Sequence, residues 1–122
     1  MTERITLLFQ RSPYNSAHAF ELARLGAALV ALELEVNAIF DHEGVHALFS
    51  KAESERVGAA GVAKILTSLS AFGSKFYVAK EALDERGLDA KKLSPHFLNE
   101  TTILDRKDTA DLILKSDFTI EF

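Results

Sequence analysis

The chain of 122 residues contains no cysteine. That absence excludes disulfides, thiolate metal sites and thiol nucleophiles in one step. It also lacks any clustered run of Lys and Arg, and its formal net charge is -4 at pH 7. Neutralising a phosphate backbone needs a concentrated basic face, so direct nucleic-acid binding is not expected. No stretch approaches the roughly 18 to 20 apolar residues needed to span a bilayer, so no membrane association is expected. The opening MTERITLLF lacks the layout of a signal peptide, and a cytoplasmic location is the expectation.

Nearly half of the residues are apolar, enough to bury one sizeable core, and the pattern reads as a single domain over residues 1–122. Ile5 to Gln10 is a short apolar run broken by Pro13 and Asn15, and it predicts a first strand covered on both faces. A helix should follow, started by Asn15 or Ser16. Its alanines, with Val30, are expected on the sheet. Its stripe of Leu22, Leu25, Leu29 and Leu32 should be covered by another helix or by a partner subunit.

Glu35 to Phe40 alternates and predicts a second strand. A short helical segment over Glu43 to Ser50, an exposed KAESER connection and a helix from about Glu55 to Leu69 come next, with Gly58 and Gly61 permitting close approach to a neighbour. Lys75 to Ala79 reads as the third strand, followed by the short helical turn EALDERGL. The fourth strand is either Phe97 to Asn99 or Thr101 to Leu104. Asp105 to Lys115 should be a helix burying Ala110, Leu112, Ile113 and Leu114, and Asp117 to Phe122 a fifth strand. This order implies an α/β fold: a flavodoxin-like parallel sheet of about five strands with helices on both faces.

In such sheets function collects at the carboxyl ends of the strands. The first loop there, Arg11 to His18, has no glycine and only Ser12 and Ser16 as hydroxyls beside Tyr14, which speaks against a phosphate cradle and a flavin. The second, Asp41 to His46, sets His42 and His46 four apart beside Glu43, a possible start for zinc. No third ligand stands at a matching spacing, although His18 or His96 could arrive through the fold. A polar strand end is therefore the simpler reading, with no metal and no cofactor expected. In the third, Val78 to Gly87, Lys80 and Glu81 read as a solvated turn rather than an acid and base pair.

Three stretches, SPYNSAHAFELARLGAALVALELEVNAIFDHEGVHAL, FYVAKEALDERGL and the ending DLILKSDFTIEF, together resemble the DsrE/DsrF-like proteins, most closely the TusC/DsrF branch. The resemblance rests on a Pro-containing loop after the first strand, the step Glu43, Gly44, Val45, the step Arg86, Gly87, Leu88, and the terminal strand closing on Phe122. It implies a flavodoxin-like subunit of a cytoplasmic sulfur-relay complex. In that family a cysteine near the end of the third strand carries a persulfide between proteins, towards tRNA thiolation or sulfur oxidation. The matching position here is Ala79, with its side chain expected to face the crevice. Alanine cannot hold sulfur, since a persulfide needs a thiolate.

The expectation is thus a non-catalytic subunit, not an enzyme, assembling with DsrE-like chains of which at least one carries a cysteine, or with copies of itself. The alternative is a homo-oligomeric small-molecule-binding module using Tyr14, His42, Glu43 and His46.

Overall fold

A computed structural model describes residues 3–14, 17–49, 57–95 and 97–122. Its elements are β1 (Arg4–Phe9), α1 (His18–Ala31), β2 (Glu35–Phe40), α2 (Val57–Ala71), β3 (Phe76–Ala79), α3 (Lys80–Glu85), β4 (Thr101–Leu104), α4 (Arg106–Lys115) and β5 (Phe118–Ile120). A 3₁₀ segment, His42–Phe49, joins β2 to α2. The expected helix-starting residues Asn15 and Ser16, the KAESER connection and His96 lie outside the described residues.

All strand pairs are parallel, in the order β4-β3-β2-β1-β5. The chain therefore winds one way from β1 to β4 and then crosses back to the far edge. With right-handed crossovers, α1 and α2 fall on one face and α4 on the other. Neighbouring residues of β1 mark the two layers. Leu7 lies under Gly26 of α1, whereas the Thr6 hydroxyl bonds the Ser116 hydroxyl at the end of α4. This is a five-stranded flavodoxin-like α/β arrangement.

The core lies mainly between the sheet and the α1–α2 layer. Ile5, Leu7 and Phe9 of β1, Val36, Ala38 and Phe40 of β2, and Phe76 and Val78 of β3 alternate onto that side and are buried. An aromatic row crosses it, from Phe9 stacked on Phe40 at 4.8 Å between ring centroids, through Phe76, to Phe97. Phe97 thus fills the core from a turn, and the fourth strand is Thr101–Leu104 rather than Phe97 to Asn99.

The two stripes expected along α1 do not separate. Leu22 is buried together with Ala19, Ala23 and Gly26, Leu25 and Leu29 are partly covered, and Leu32 is exposed. The close approach between helices is made at Gly61, where a Cβ would stand 2.6 Å from the Phe20 ring.

The buried side expected for α4 is also corrected. Leu112 and Ile113 are half-buried, but Ala110 is exposed and Leu114 is 82% exposed. The buried position of the helix is Thr109, whose hydroxyl donates to the Arg106 carbonyl at 2.8 Å. Because that bond is made inside its own helix, a polar side chain can sit there at little cost.

One buried hydroxyl lacks such a bond. Thr101 Oγ1, at the start of β4, has no hydrogen-bond partner among the described residues. Thr101→Val keeps the branched shape that suits a strand and removes the unpaired group. The variant is expected to be about 1 kcal/mol more stable, read as a higher urea midpoint at unchanged slope. A lower midpoint would mean that the hydroxyl is satisfied after all.

Candidate functional site

The carboxyl ends of β2, β3 and β4 lie side by side, and each is followed at once by charged residues. Asp41 follows β2, Lys80 and Glu81 open α3 after β3, and Arg106 opens α4 after β4. The sheet order puts β3 between the other two. The Arg106 guanidinium nevertheless reaches Asp41, with Nε 3.0 Å from Oδ2 and Nη2 2.8 Å from Oδ1. This forked pair spans the end of the strand that closes on Ala79.

The pair anchors a chain of charges. Arg106 Nη1 donates to Glu85 at 3.3 Å, and Glu85 lies 3.7 Å from Arg86. Arg86 in turn places Nε and Nη2 on Glu43 Oε1, at 2.9 and 2.8 Å. His46 Nε2 meets the other oxygen of Glu43 at 3.1 Å. Glu81 is not simply solvated, because its carboxylate accepts from the Arg106 main-chain N–H at 2.8 and 3.1 Å. It thereby satisfies a free donor at the start of α4, where Asp105 makes no side-chain cap bond.

Charge states follow from these contacts. Burial pushes the Asp41 carboxyl up, but the bonds from Arg106 and from the His42 N–H outweigh it and leave the group below its usual range. The bond from Arg86 lowers Glu43 as well. Asp41 raises Arg106 above its ordinary value, opposed by the cost of burial. Asp41, Glu43 and Arg106 are thus each held in the charged form by their partners, as members of an ion-pair lattice.

Of the residues singled out in the sequence, the structure brings Glu43 and His46 together and adds Arg86 to them. His42 is exposed, with a left-handed φ of 48°, and its N–H turns back onto Asp41 Oδ1 at 2.7 Å. Tyr14 stands on the separate loop after β1, partly exposed, its N–H donating to Ser12 Oγ. Among the described residues no three His, Asp or Glu groups are arranged to hold a metal ion, and no helix is long and apolar enough to cross a membrane.

The model of the DsrE/DsrF-like family matches residues 3–122. The chain belongs to that family. The solved structure of ychN from E. coli is similar over 100% of both chains, at 22% identity and a TM-score of 0.80. A protein of unknown function from Methanobacterium thermoautotrophicum, MTH1491, is similar over 97% of both, at 14% identity and a TM-score of 0.71. At those identities the two show the shared fold. A comparison with curated proteins found no significant match.

Within this DsrE-like fold, Ala79 ends β3 as expected and directly precedes α3. Its side chain does not line an open crevice, because Ala79 is 0% exposed. A thiol placed there would meet two opposing influences: burial raises its pKa, while the start of a helix favours the thiolate. Full burial decides the balance, since α3 has only six residues and a correspondingly small dipole. Ala79→Cys is therefore expected to alkylate about tenfold more slowly than Ala71→Cys at the exposed end of α2. Rates with iodoacetamide on the folded variants check this, and a faster reaction at position 79 would overturn it.

Proposed function

We propose that this chain is a non-catalytic subunit of a cytoplasmic sulfur-relay complex of the DsrEFH/TusBCD type, in the TusC/DsrF branch. Its partners are other DsrE-like chains, at least one of which carries the cysteine. The observation that carries this reading is the state of the third strand's end. In a chain without cysteine, the residue at the position resembling the family's sulfur carrier is an alanine with no exposed surface, flanked by the Asp41–Arg106 pair.

Persulfide chemistry needs a thiolate that can be reached by its donor. Here neither the thiol nor the access exists, so the sulfur passes through a partner's cysteine. This chain contributes surface. Leu32 and Phe72 on the α1–α2 side, and Ile103, Leu114 and Phe118 at the sheet edges and on α4, are large apolar side chains at least 40% exposed. Such surface on so small a chain suits assembly. Relay towards tRNA thiolation or sulfur oxidation is then the work of the assembled complex.

The test is native mass spectrometry of the tagged chain purified from its own cells. A stoichiometric complex containing a second DsrE-like chain with a cysteine is expected, and persulfide should be found on that chain alone. Recovery of copies of this chain only would overturn the proposal.

A further inference from the structure

The face of the sheet covered by α4 carries a groove at the opposite end of the strands from the ion-pair lattice. Parallel sheets are ordinarily apolar on both faces. Here the α4 side presents Arg4 and Thr6 from β1, Glu35 and Asn37 from β2, and Lys75 and Tyr77 at β3. A single helix cannot cover them all, and a cavity of about 150 Å³ remains, floored by Ile39 and Leu112. That volume corresponds to roughly five waters, or to a body the size of one benzene ring.

Not every charge in the groove is paired. Arg4 Nε is taken by Glu35, and the Lys75 ammonium has no ion pair among the described residues. Asp117 is not among the lining side chains, and its carboxylate accepts from the Arg4 main-chain N–H at 2.7 Å. The Lys75 ammonium is therefore the cation of the lining left without an ion pair, beside the half-buried Tyr77 and above an apolar floor. The Asn37 side-chain Oδ1 already accepts from the Lys75 main-chain N–H at 2.9 Å, which fixes the lip of the groove.

We propose that this groove binds a small organic monoanion, a carboxylate with a compact apolar body. Its carboxylate is held by the Lys75 ammonium and the Tyr77 hydroxyl, while its body rests on Ile39 and Leu112. A dianion is disfavoured by Glu35, and a larger ligand by the volume. The groove is complete within one chain, so its test is separable from the subunit role proposed above.

Benzoate and benzamide, equal in shape and different in charge, are the probes, followed by ligand-observed NMR on the full chain. Benzoate is expected to bind at least about tenfold more tightly than benzamide, and Lys75→Gln to remove that preference. The lysine side chain is exposed and β3 is held through its main chain, so thermal stability should not change. Tyr77→Phe should weaken benzoate several-fold. Equal binding of the two probes, no binding up to about 10 mM, or a Lys75→Gln variant that binds benzoate unchanged would overturn the proposal. So would sedimentation showing that Lys75→Gln alters the oligomeric mass, because the face would then be covered by a second copy.

Discussion

Gly44→Ala is expected to cost at least about 3 kcal/mol and to leave the protein largely unfolded at physiological temperature. A Cβ on Gly44 would stand 1.9 Å from the Phe9 carbonyl oxygen, 2.4 Å from its carbon and 2.9 Å from the Gln10 nitrogen. All three are main-chain atoms at the end of β1, the strand paired on both sides in the sheet. They cannot rotate away. Gly61→Ala supplies the contrast, since its Cβ would meet only the Phe20 ring, a side chain only partly buried that can swing by a few tenths of an ångström. The second variant should therefore cost about 1 kcal/mol or less, because ring movement and a gain in helix propensity oppose each other. Urea unfolding of the two variants checks the order. A Gly44→Ala protein within 1 kcal/mol of the parent, on the scale of ordinary surface substitutions, would show that the 3₁₀ segment can lift off β1.

That contact also explains what was legible in the sequence. The step Glu43, Gly44, Val45 contributed to the family resemblance, and the structure shows a separate task for each residue. Glu43 joins the two loops through Arg86, Gly44 lets the segment touch β1, and Val45 is fully buried. Strands and long helices could be read because period and burial agree: EVNAIF alternates in sequence and its Val36, Ala38 and Phe40 share one face. In α4, Leu114 is 82% exposed and Leu112 and Ile113 are only half-buried, so apolar character there does not report burial. The core position at Thr109 could not be found by hydrophobicity at all, since its burial depends on a bond to its own helix. The ion-pair lattice was equally hidden. Arg106 and Asp41 are 65 residues apart, and only the strand order, with β2 and β4 on either side of β3, brings them together.

That pair sets the last expected result. Arg106→Ala should destabilise the protein by about 2 to 3 kcal/mol at neutral pH, less than a fully buried pair because the Arg106 side chain is 37% exposed. The Asp41 side chain is only 8% exposed, so the loss arises mainly from a carboxylate left under cover without its fork. The Glu81 bond to the Arg106 main-chain N–H survives the substitution, so α4 should still start at the same place. The pH dependence separates this charge effect from simple loss of packing. Asp41 in the folded protein lies below its ordinary 3.8, so its contribution is fully present above that value and disappears as pH falls through the lowered one. The stability gap between the parent and Arg106→Ala should accordingly be widest at neutral pH and narrow on acidification, beginning where Asp41 of the variant, raised by its burial, takes up a proton and ending once the parent's lowered Asp41 is protonated as well. Asp41→Asn, which keeps the shape and loses the charge, should flatten the acid limb in the same way. Urea unfolding over this range reads the outcome. A gap that stays the same, or widens, through the acid limb would mean that Arg106 contributes by covering the end of β3 and not by its charge.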